Sequence, residues 1–167
     1  IYLGAEGPKN IALSTEIADG WLPLFYNPYD ESVYASSLTN TKPDFQIAQM
    51  VTVNITDDID AGLLGVKHFL SLYIGGMGAK GTNFHKNLFE RMGYADEAEQ
   101  IQKLFFEGKR DEAARVIPDE LADAMALIGP KDRIRDRLQA WNDSKVTTLL
   151  VATTDKQQLR DMAELIL

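Results

Sequence analysis

The chain has 167 residues, 45% hydrophobic and 25% charged, a composition typical of a folded globular protein rather than a disordered one. Seventeen lysines and arginines stand against 25 aspartates and glutamates, and the net charge of −8 argues against a nucleic-acid-binding surface. The absence of cysteine excludes disulfides, thiolate metal sites and cysteine nucleophiles, and two histidines cannot form a histidine-rich metal site. No apolar run approaches the roughly 20 residues of a membrane helix and no secretory signal is visible, so we expect no membrane association and a cytoplasmic location.

Strands and helices are predicted to alternate in the first third of the chain. Pro8 suits the first turn of a helix, Asp19-Gly20 ends that helix, and Ile47, Val51 and Val53 are β-branched residues typical of a strand. In chain order we predict a strand over residues 1–5, a helix over 8–18, a strand over 21–25, a helix over 29–38 and a strand over 45–55. Because the chain opens on a strand and without methionine, we expect a preceding segment.

The remaining chain is mainly helical by pattern, because apolar residues recur at spacings of three and four. The predicted helical faces carry Leu63, Val66, Leu70 and Tyr73; Ile101, Leu104 and Phe105; Leu121, Ala124, Met125 and Ile128; Ile134, Leu138 and Trp141; and Leu159, Met162, Ala163 and Ile166. A short helix is also predicted over 84–92 and a fourth strand over 147–152. We interpret residues 1–167 as a single α/β domain, a parallel sheet of about four strands with covering helices and a helical insertion around 57–128. Four such units fit either a flavodoxin-like sheet or half of an eight-unit barrel.

The turn after the first strand is a candidate phosphate site. A glycine-rich turn between a strand and a helix presents free backbone N–H groups, and the helix dipole favours an anion there. Gly4 and Gly7 would allow close approach of a phosphate, and Lys9 adds positive charge. An ordinary strand-to-helix turn explains the same residues, and both readings stay open.

A second glycine cluster matches G-x-G-x-x-G at Gly76, Gly78 and Gly81. The preceding stretch is helical in pattern, and no acidic residue ends a strand about 20 residues later, so the context of a dinucleotide site is missing. A loop near the mouth of a site, or a plain connection between helices, fits the cluster better.

Other polar residues have structural explanations that compete with functional ones. Asp57 and Asp60, with Asp58 between them, fit a helix cap with acidic residues in the first turn better than a metal site. His85 beside the glycine cluster fits either a pocket or an ordinary half-exposed position, and His68 is interpreted as structural. No Ser-His-Asp set, close carboxylate pair or Walker-type loop is present, so no residue is assigned a catalytic role.

Several stretches together resemble the luciferase-like monooxygenase superfamily, and within it the branch that depends on the deazaflavin coenzyme F420. The stretches are Ile1 to Lys9, Glu16 to Trp21, Tyr73 to Ala79 with Gly81, Asn83 and Phe84, Pro118 to Ala124, Leu127 to Pro130, and Val146 to Val151. They follow the family's order from its fifth to its eighth strand. The resemblance therefore implies the C-terminal half of a TIM (β/α)8 barrel, with the N-terminal half absent.

The resemblance also implies positions for cofactor and substrate. In the family, the loop after strand five contacts the cofactor phosphate through backbone amides, a role that falls here on Gly4, Ala5, Glu6 and Gly7, with Lys9 beside them. The end of strand six would line the cofactor or substrate pocket through Leu24, Phe25 and Asn27. The loop over residues 75–81 could close over that pocket through Gly76, Met77 and Gly78.

The function implied by the resemblance is hydride transfer between F420 and an unknown organic substrate. Gly7-Pro8-Lys9 stands where flavin-binding relatives often have serines, which favours F420 over FMN. Two alternatives remain: an FMN-dependent monooxygenase, and a non-catalytic half-barrel subunit that acts by association. The implied partners are a small-molecule substrate, the missing N-terminal half or a partner chain, and further copies in a homo-oligomer. The chain alone would lack a complete active site.

Overall fold

The computed structural model describes residues 1–79 and 81–166 and divides them into two compact units. Ile1–Gly62 together with Asp123–Leu167 form the first, here called the sheet unit, and Leu63–Ala122 form the second, the helical unit. Leu167 and Lys80 lie outside the described residues. The interpretation of residues 1–167 as a single domain stays a prediction.

The sheet unit contains five parallel strands and their helices. The strands are β1 (Tyr2–Gly4), β2 (Gly20–Leu22), β3 (Gln46–Ile55), β4 (Ala126–Gly129) and β5 (Thr148–Ala152). Its helices are α1 (Pro8–Ile17), α2 (Ser32–Ala35), α8 (Lys131–Asp143) and α9 (Lys156–Ile166). Strands alternating with helices produce a parallel sheet, as the sequence predicts.

The ten-residue strand β3 organises this sheet, because three other strands pair with it. Its first residues pair with β2, its middle pairs with β5 along five positions, and its last four residues pair with β4. β1 pairs with β2 through Leu3 opposite Trp21. The side chains of two residues paired across neighbouring strands point to the same side of the sheet, so these pairs show which residues share each face.

The two faces of the sheet differ sharply in exposure. Trp21, Ile47, Val51 and Val53 lie on one face and are buried. Large side chains on the opposite face are exposed, with 40% of Tyr2, 36% of Leu22, 46% of Met50 and 44% of Leu150 accessible. Gly20 is required on this second face, since a Cβ there would lie 2.6 Å from the Tyr2 ring. One face is therefore covered by helices, and within the described chain the other is not.

The helical unit consists of helices from α3 to α7. They are α3 (Ile59–Gly76), α4 (Phe84–Arg91), α5 (Ala95–Phe106), α6 (Arg110–Val116) and α7 (Asp119–Ala124), with α3 and α7 crossing the boundary between the units. Glycines at the end of α3 allow close packing, because a Cβ on Gly75 or Gly76 would lie within 2.5 Å of Phe105. None of the helices described in residues 1–79 and 81–166 is long and apolar enough to cross a membrane.

Some predicted elements are shorter, shifted or of another type. The predicted helix over 29–38 is reduced to α2, because the side chains of Asn27 and Asp30 accept hydrogen bonds from the N–H groups of Tyr29 and Ser32 and form turns. The second strand ends at Leu22 instead of residue 25. The spacing of apolar residues predicts a helical position for Ile128, but this residue lies in β4, which pairs with the end of β3.

Candidate functional site

The turn between β1 and α1 brings the predicted phosphate-binding residues together. Gly4 ends β1 and Gly7 caps α1 in an extended conformation, with φ −83° and ψ 143°. Pro8 occupies the first turn of the helix, where its missing N–H costs no hydrogen bond. The carbonyl of Gly7 accepts hydrogen bonds at 3.0 Å from the N–H groups of Asn10 and Ile11. These bonds fix the turn at the start of the helix.

Two backbone N–H groups in this turn remain available. Within residues 1–79 and 81–166, the amides of Gly7 and Lys9 donate to no acceptor, as expected at the beginning of a helix. A Cβ built on Gly7 would meet no atom within 4 Å, and one on Gly4 would meet only the carbonyl oxygen of Leu22, at 3.9 Å. The turn therefore offers donors and open space together, which suits a phosphate or another anion.

Two hydrogen bonds join this turn to the neighbouring strand end. The indole N–H of Trp21 donates to the carbonyl of Ala5 at 2.8 Å, in a buried position. In the reverse direction, the backbone N–H of Leu24 donates to the Glu6 carboxylate at 2.8 Å. The turn and the segment that follows β2 therefore hold each other at two points.

The segment after β2 carries the residues predicted to line a pocket, and further side chains fix its backbone. Gln49, only 2% exposed, donates to the carbonyl of Leu24 at 3.2 Å, and the buried Tyr34 hydroxyl donates to the carbonyl of Phe25 at 2.9 Å. The side chain of Phe25 is itself 3% exposed, whereas Leu24 and Asn27 are half-buried. Asn27 accepts a bond from Tyr29 within its own turn.

An aromatic cluster supports the covered face behind this segment. The rings of Tyr26 and Tyr34 stack 5.0 Å apart, and Trp21 meets Tyr34 edge-on at 5.3 Å. Burial and a hydrogen bond to Glu31 raise the pKa of Tyr26, so its hydroxyl stays protonated. All three rings are fully buried, and the Glu31 carboxylate accepts the Tyr26 hydroxyl at the margin of the cluster.

The second glycine cluster lies in the helical unit, where packing explains most of its glycines. Gly76 belongs to α3 and packs on Phe105, and a Cβ on Gly78 would lie 2.7 Å from the Thr82 carbonyl. Met77 is exposed. Lys80, within the same loop, lies outside the described residues. The predicted role of Gly76, Met77 and Gly78 as pocket lining stays a prediction.

Asn83 closes this loop, and no sequence motif identifies its role. Its amide donates to the carbonyls of Tyr73 and Ile74 at 2.9 and 2.8 Å, while its oxygen accepts the N–H of Lys86 at 3.0 Å. His85 follows it, with its ring edge-on to Tyr73 at 4.9 Å. Burial lowers the pKa of His85, which favours the neutral imidazole.

One of the three aspartates around the start of α3 caps the helix. The cap is Asp58 rather than Asp57, because Asp58 Oδ1 accepts the N–H of Ala61 at 3.0 Å, and Asp60 lies in the first turn. Across residues 1–79 and 81–166, no three His, Asp or Glu side chains form a group that could hold a metal ion. His68 is part-exposed on α3, 3.9 Å from Asp111.

The sequence of the chain is similar to that of known oxidoreductases. A Mycobacterium tuberculosis protein named “Putative coenzyme F420-dependent oxidoreductase” is 44% identical over 99% of this chain and 50% of its own length. The 5,10-methylenetetrahydromethanopterin reductase of Archaeoglobus fulgidus is 21% identical over 92% of this chain and 48% of its own length. The chain thus spans about half the length of the curated relatives it matches.

Solved structures share the fold. The coenzyme F420-dependent tetrahydromethanopterin reductase of Methanopyrus kandleri superposes with a TM-score of 0.68 at 21% identity, over 97% of this chain and 48% of that one. An F420-dependent secondary alcohol dehydrogenase, solved with an F420-acetone adduct, superposes with a TM-score of 0.63 at 8% identity, over 99% and 47%. The expected α/β class, a parallel sheet with helices that matches half of a barrel-like enzyme, is confirmed.

The family expected from the sequence is also confirmed. The model of the family described as luciferase-like monooxygenase matches residues 1–148, which include β1, the candidate phosphate-binding turn and the whole helical unit. The chain belongs to the luciferase-like monooxygenase family.

Proposed function

We propose that this chain is part of an F420-dependent oxidoreductase that transfers a hydride between the deazaflavin and a small organic substrate. The observation that carries the proposal is the turn between β1 and α1, with two available amides and open space at Gly7. The 44% identity to a protein named for F420 supports the choice of cofactor. The deazaflavin, when bound, supplies the carbon that accepts or donates the hydride.

The residues of this chain would bind and orient the cofactor. The amides of Gly7 and Lys9 would donate to its phosphate, and the Lys9 ammonium would add charge at the same end of α1. Leu24 and Asn27, half-buried after β2, would contact the cofactor or substrate beside the phosphate. Strand ends of a barrel carry the active site, and this turn follows the end of β1.

We propose further that the exposed face of the sheet is the interior face of a barrel, covered by additional strands of the same protein or of a partner. That face carries four large apolar or aromatic side chains, each between about one third and one half exposed: Tyr2, Leu22, Met50 and Leu150. Apolar side chains are seldom left together on a solvent-facing sheet. The half-length match to the relatives supports this assignment.

Cofactor titration of the complete protein tests the proposal. We expect F420 to bind more tightly than FMN, and Gly7→Val to weaken F420 binding by about tenfold or more. Because Gly7 has φ −83° and open space around it, valine can be accommodated by the fold and would fill only the volume assigned to the phosphate. Ala12→Val, a similar change at an exposed position of the same helix, is the matched control.

The outcomes separate the alternatives. Tighter binding of FMN than F420 would favour an FMN-dependent monooxygenase of the same family. Binding of neither cofactor, together with self-association, would favour a subunit that acts by association. Equal affinity of Gly7→Val, Ala12→Val and the unaltered protein for F420 would reject the phosphate site at this turn.

A further inference from the structure

The Trp21 indole lies where it can control the shape of the candidate phosphate-binding turn. Its side chain is fully buried, and its N–H donates to the carbonyl of Ala5, sixteen residues earlier in the chain. The ring is held in turn by Tyr34, which meets it edge-on at 5.3 Å. A donor with so little freedom fixes the direction of the carbonyl it binds.

The direction of that carbonyl sets the direction of the next amide. The Ala5–Glu6 peptide is trans, as are all peptide bonds in the described residues. In a trans peptide the C=O and the following N–H point in opposite directions. Since the Ala5 carbonyl points at Trp21, the Glu6 N–H points away from the aromatic cluster.

The side chain of Glu6 adds a second restraint. Its carboxylate accepts the N–H of Leu24 at 2.8 Å, so the turn is held on both sides of the Ala5–Glu6 peptide. The negatively charged carboxylate of Glu6 is thereby held against the N–H of Leu24, in the segment after β2. The two bonds together restrain the Ala5–Glu6 peptide and the side chain of Glu6, and so set where the backbone enters Gly7.

We infer that Trp21 is a positioning residue for phosphate recognition: its indole N–H orients the Ala5–Glu6 peptide and thereby holds the backbone that leads into Gly7, whose amide is assigned to the phosphate of the cofactor. The inference rests on the proposed function and deepens it, because it places the control of the phosphate site on the neighbouring strand. Preorganised donors bind a ligand more tightly because they lose less freedom on binding.

Comparing two ligands distinguishes a positioning role from a structural one. The complete protein is titrated with F420 and with the corresponding phosphate-free deazaflavin, in its unaltered form and as Trp21→Phe. Phenylalanine keeps an aromatic ring but removes the N–H. We expect Trp21→Phe to weaken F420 binding by about five- to tenfold, the loss of one oriented hydrogen bond, and to leave the phosphate-free ligand within twofold. Trp141→Phe, on α8, is the matched control and should change neither affinity.

A measurement on the intact Trp21 covers the case in which Trp21→Phe does not fold. In Trp141→Phe, Trp21 is the sole tryptophan of this chain. If only this chain carries ¹⁵N, the protein therefore gives a single indole N–H resonance, which belongs to Trp21. We expect F420 to shift that resonance and the phosphate-free deazaflavin to leave it in place.

The outcomes also separate this inference from the proposed function. If the unaltered protein prefers F420 to the phosphate-free ligand, but Trp21→Phe weakens both by the same factor or neither, Trp21 is only structural and the inference is overturned. An indole resonance that responds equally to both ligands would overturn it as well. If the unaltered protein binds both ligands equally, the phosphate site at this turn and the inference about Trp21 are both rejected, whereas the choice of F420 as cofactor is decided separately by the comparison with FMN.

Discussion

Replacing Asn83 with alanine should destabilise the helical unit, because this buried side chain joins the end of α3 to the start of α4. The side chain is 3% exposed and links two helix ends. Its amide donates to the carbonyls of Tyr73 and Ile74 near the end of α3, and its oxygen caps α4 at the N–H of Lys86. Asn83→Ala therefore removes three hydrogen bonds at once.

The size of the effect follows from the groups left without partners. Loss of an N-cap costs about 1 kcal/mol. A buried acceptor left unsatisfied costs about 1–3 kcal/mol, and the Ile74 carbonyl is in a buried bond. We therefore expect Asn83→Ala to lower the free energy of unfolding by about 2–4 kcal/mol. Asn83→Ser, which restores only the cap, should recover about 1 kcal/mol of this loss.

Urea unfolding followed by circular dichroism, with amide exchange at Lys86, measures both effects. The exchange rate of the Lys86 amide reports directly on the cap, because this N–H donates the hydrogen bond that the Asn83 side-chain oxygen accepts. Asn87→Ala, at an exposed position of the same helix, is the matched control and should change the free energy of unfolding by less than about 0.5 kcal/mol. A loss for Asn83→Ala no larger than that of Asn87→Ala would refute the reasoning.

Two further predictions concern packing and pH. Gly62→Ala should destabilise the fold by about 1–3 kcal/mol, because the added Cβ would lie 2.4 Å from Ile128. Gly65→Ala, in the same helix but with open space around it, should instead stabilise the fold by about 0.5–1 kcal/mol. Equal effects of the two substitutions in thermal unfolding would contradict this reasoning. Burial lowers the pKa of His85 below 6.5, so the unfolded chain binds its proton first and stability should fall as pH drops through 6.5. In His85→Gln, unfolding titrations at pH 5 to 8 should show a weaker dependence, and an unchanged one would contradict the assignment.

Sequence patterns predict the elements of this chain well where burial imposes a repeating order. The strand predicted over 45–55 is observed as Gln46–Ile55, because its alternate residues face the helices on the covered side. On α3, Leu63, Val66 and Leu70 are buried as their spacing predicts, although Ile74 rather than Tyr73 continues the stripe. Each of these assignments needs only local periodicity.

The missed strand β4 shows where local pattern is insufficient. Ala126–Gly129 is a four-residue apolar stretch, and a run of that length fits a buried strand and a buried helix equally. Its state is decided by pairing with Thr52–Ile55, more than 70 positions earlier in the chain. Gly129, with φ +126°, then allows the sharp departure into α8 that a residue with a side chain would resist.

The candidate site likewise has a part that local sequence predicts and a part that depends on residues far along the chain. The turn with Gly4 and Gly7 could be predicted, since glycine and proline between a strand and a helix form a local signal. The restraints on that turn could not, because Trp21 and Leu24 reach it from 16 and 18 residues further along. Nothing in the spacing of Trp21 distinguishes an indole that binds a carbonyl from one that only packs.

The placement of these restraints also bears on how the proposed enzyme divides its tasks. Trp21 and Gln49 lie on the covered face of the sheet and are buried there, both within the sheet unit. The shape of the turn is therefore set within this unit and does not depend on what covers Tyr2, Leu22 and Met50 on the other face. Under the proposed function, this unit fixes the phosphate end of the cofactor, while the surroundings of the reacting ring depend on the strands that complete the barrel. Recognition of the phosphate and catalysis of hydride transfer would then be separable properties of the protein.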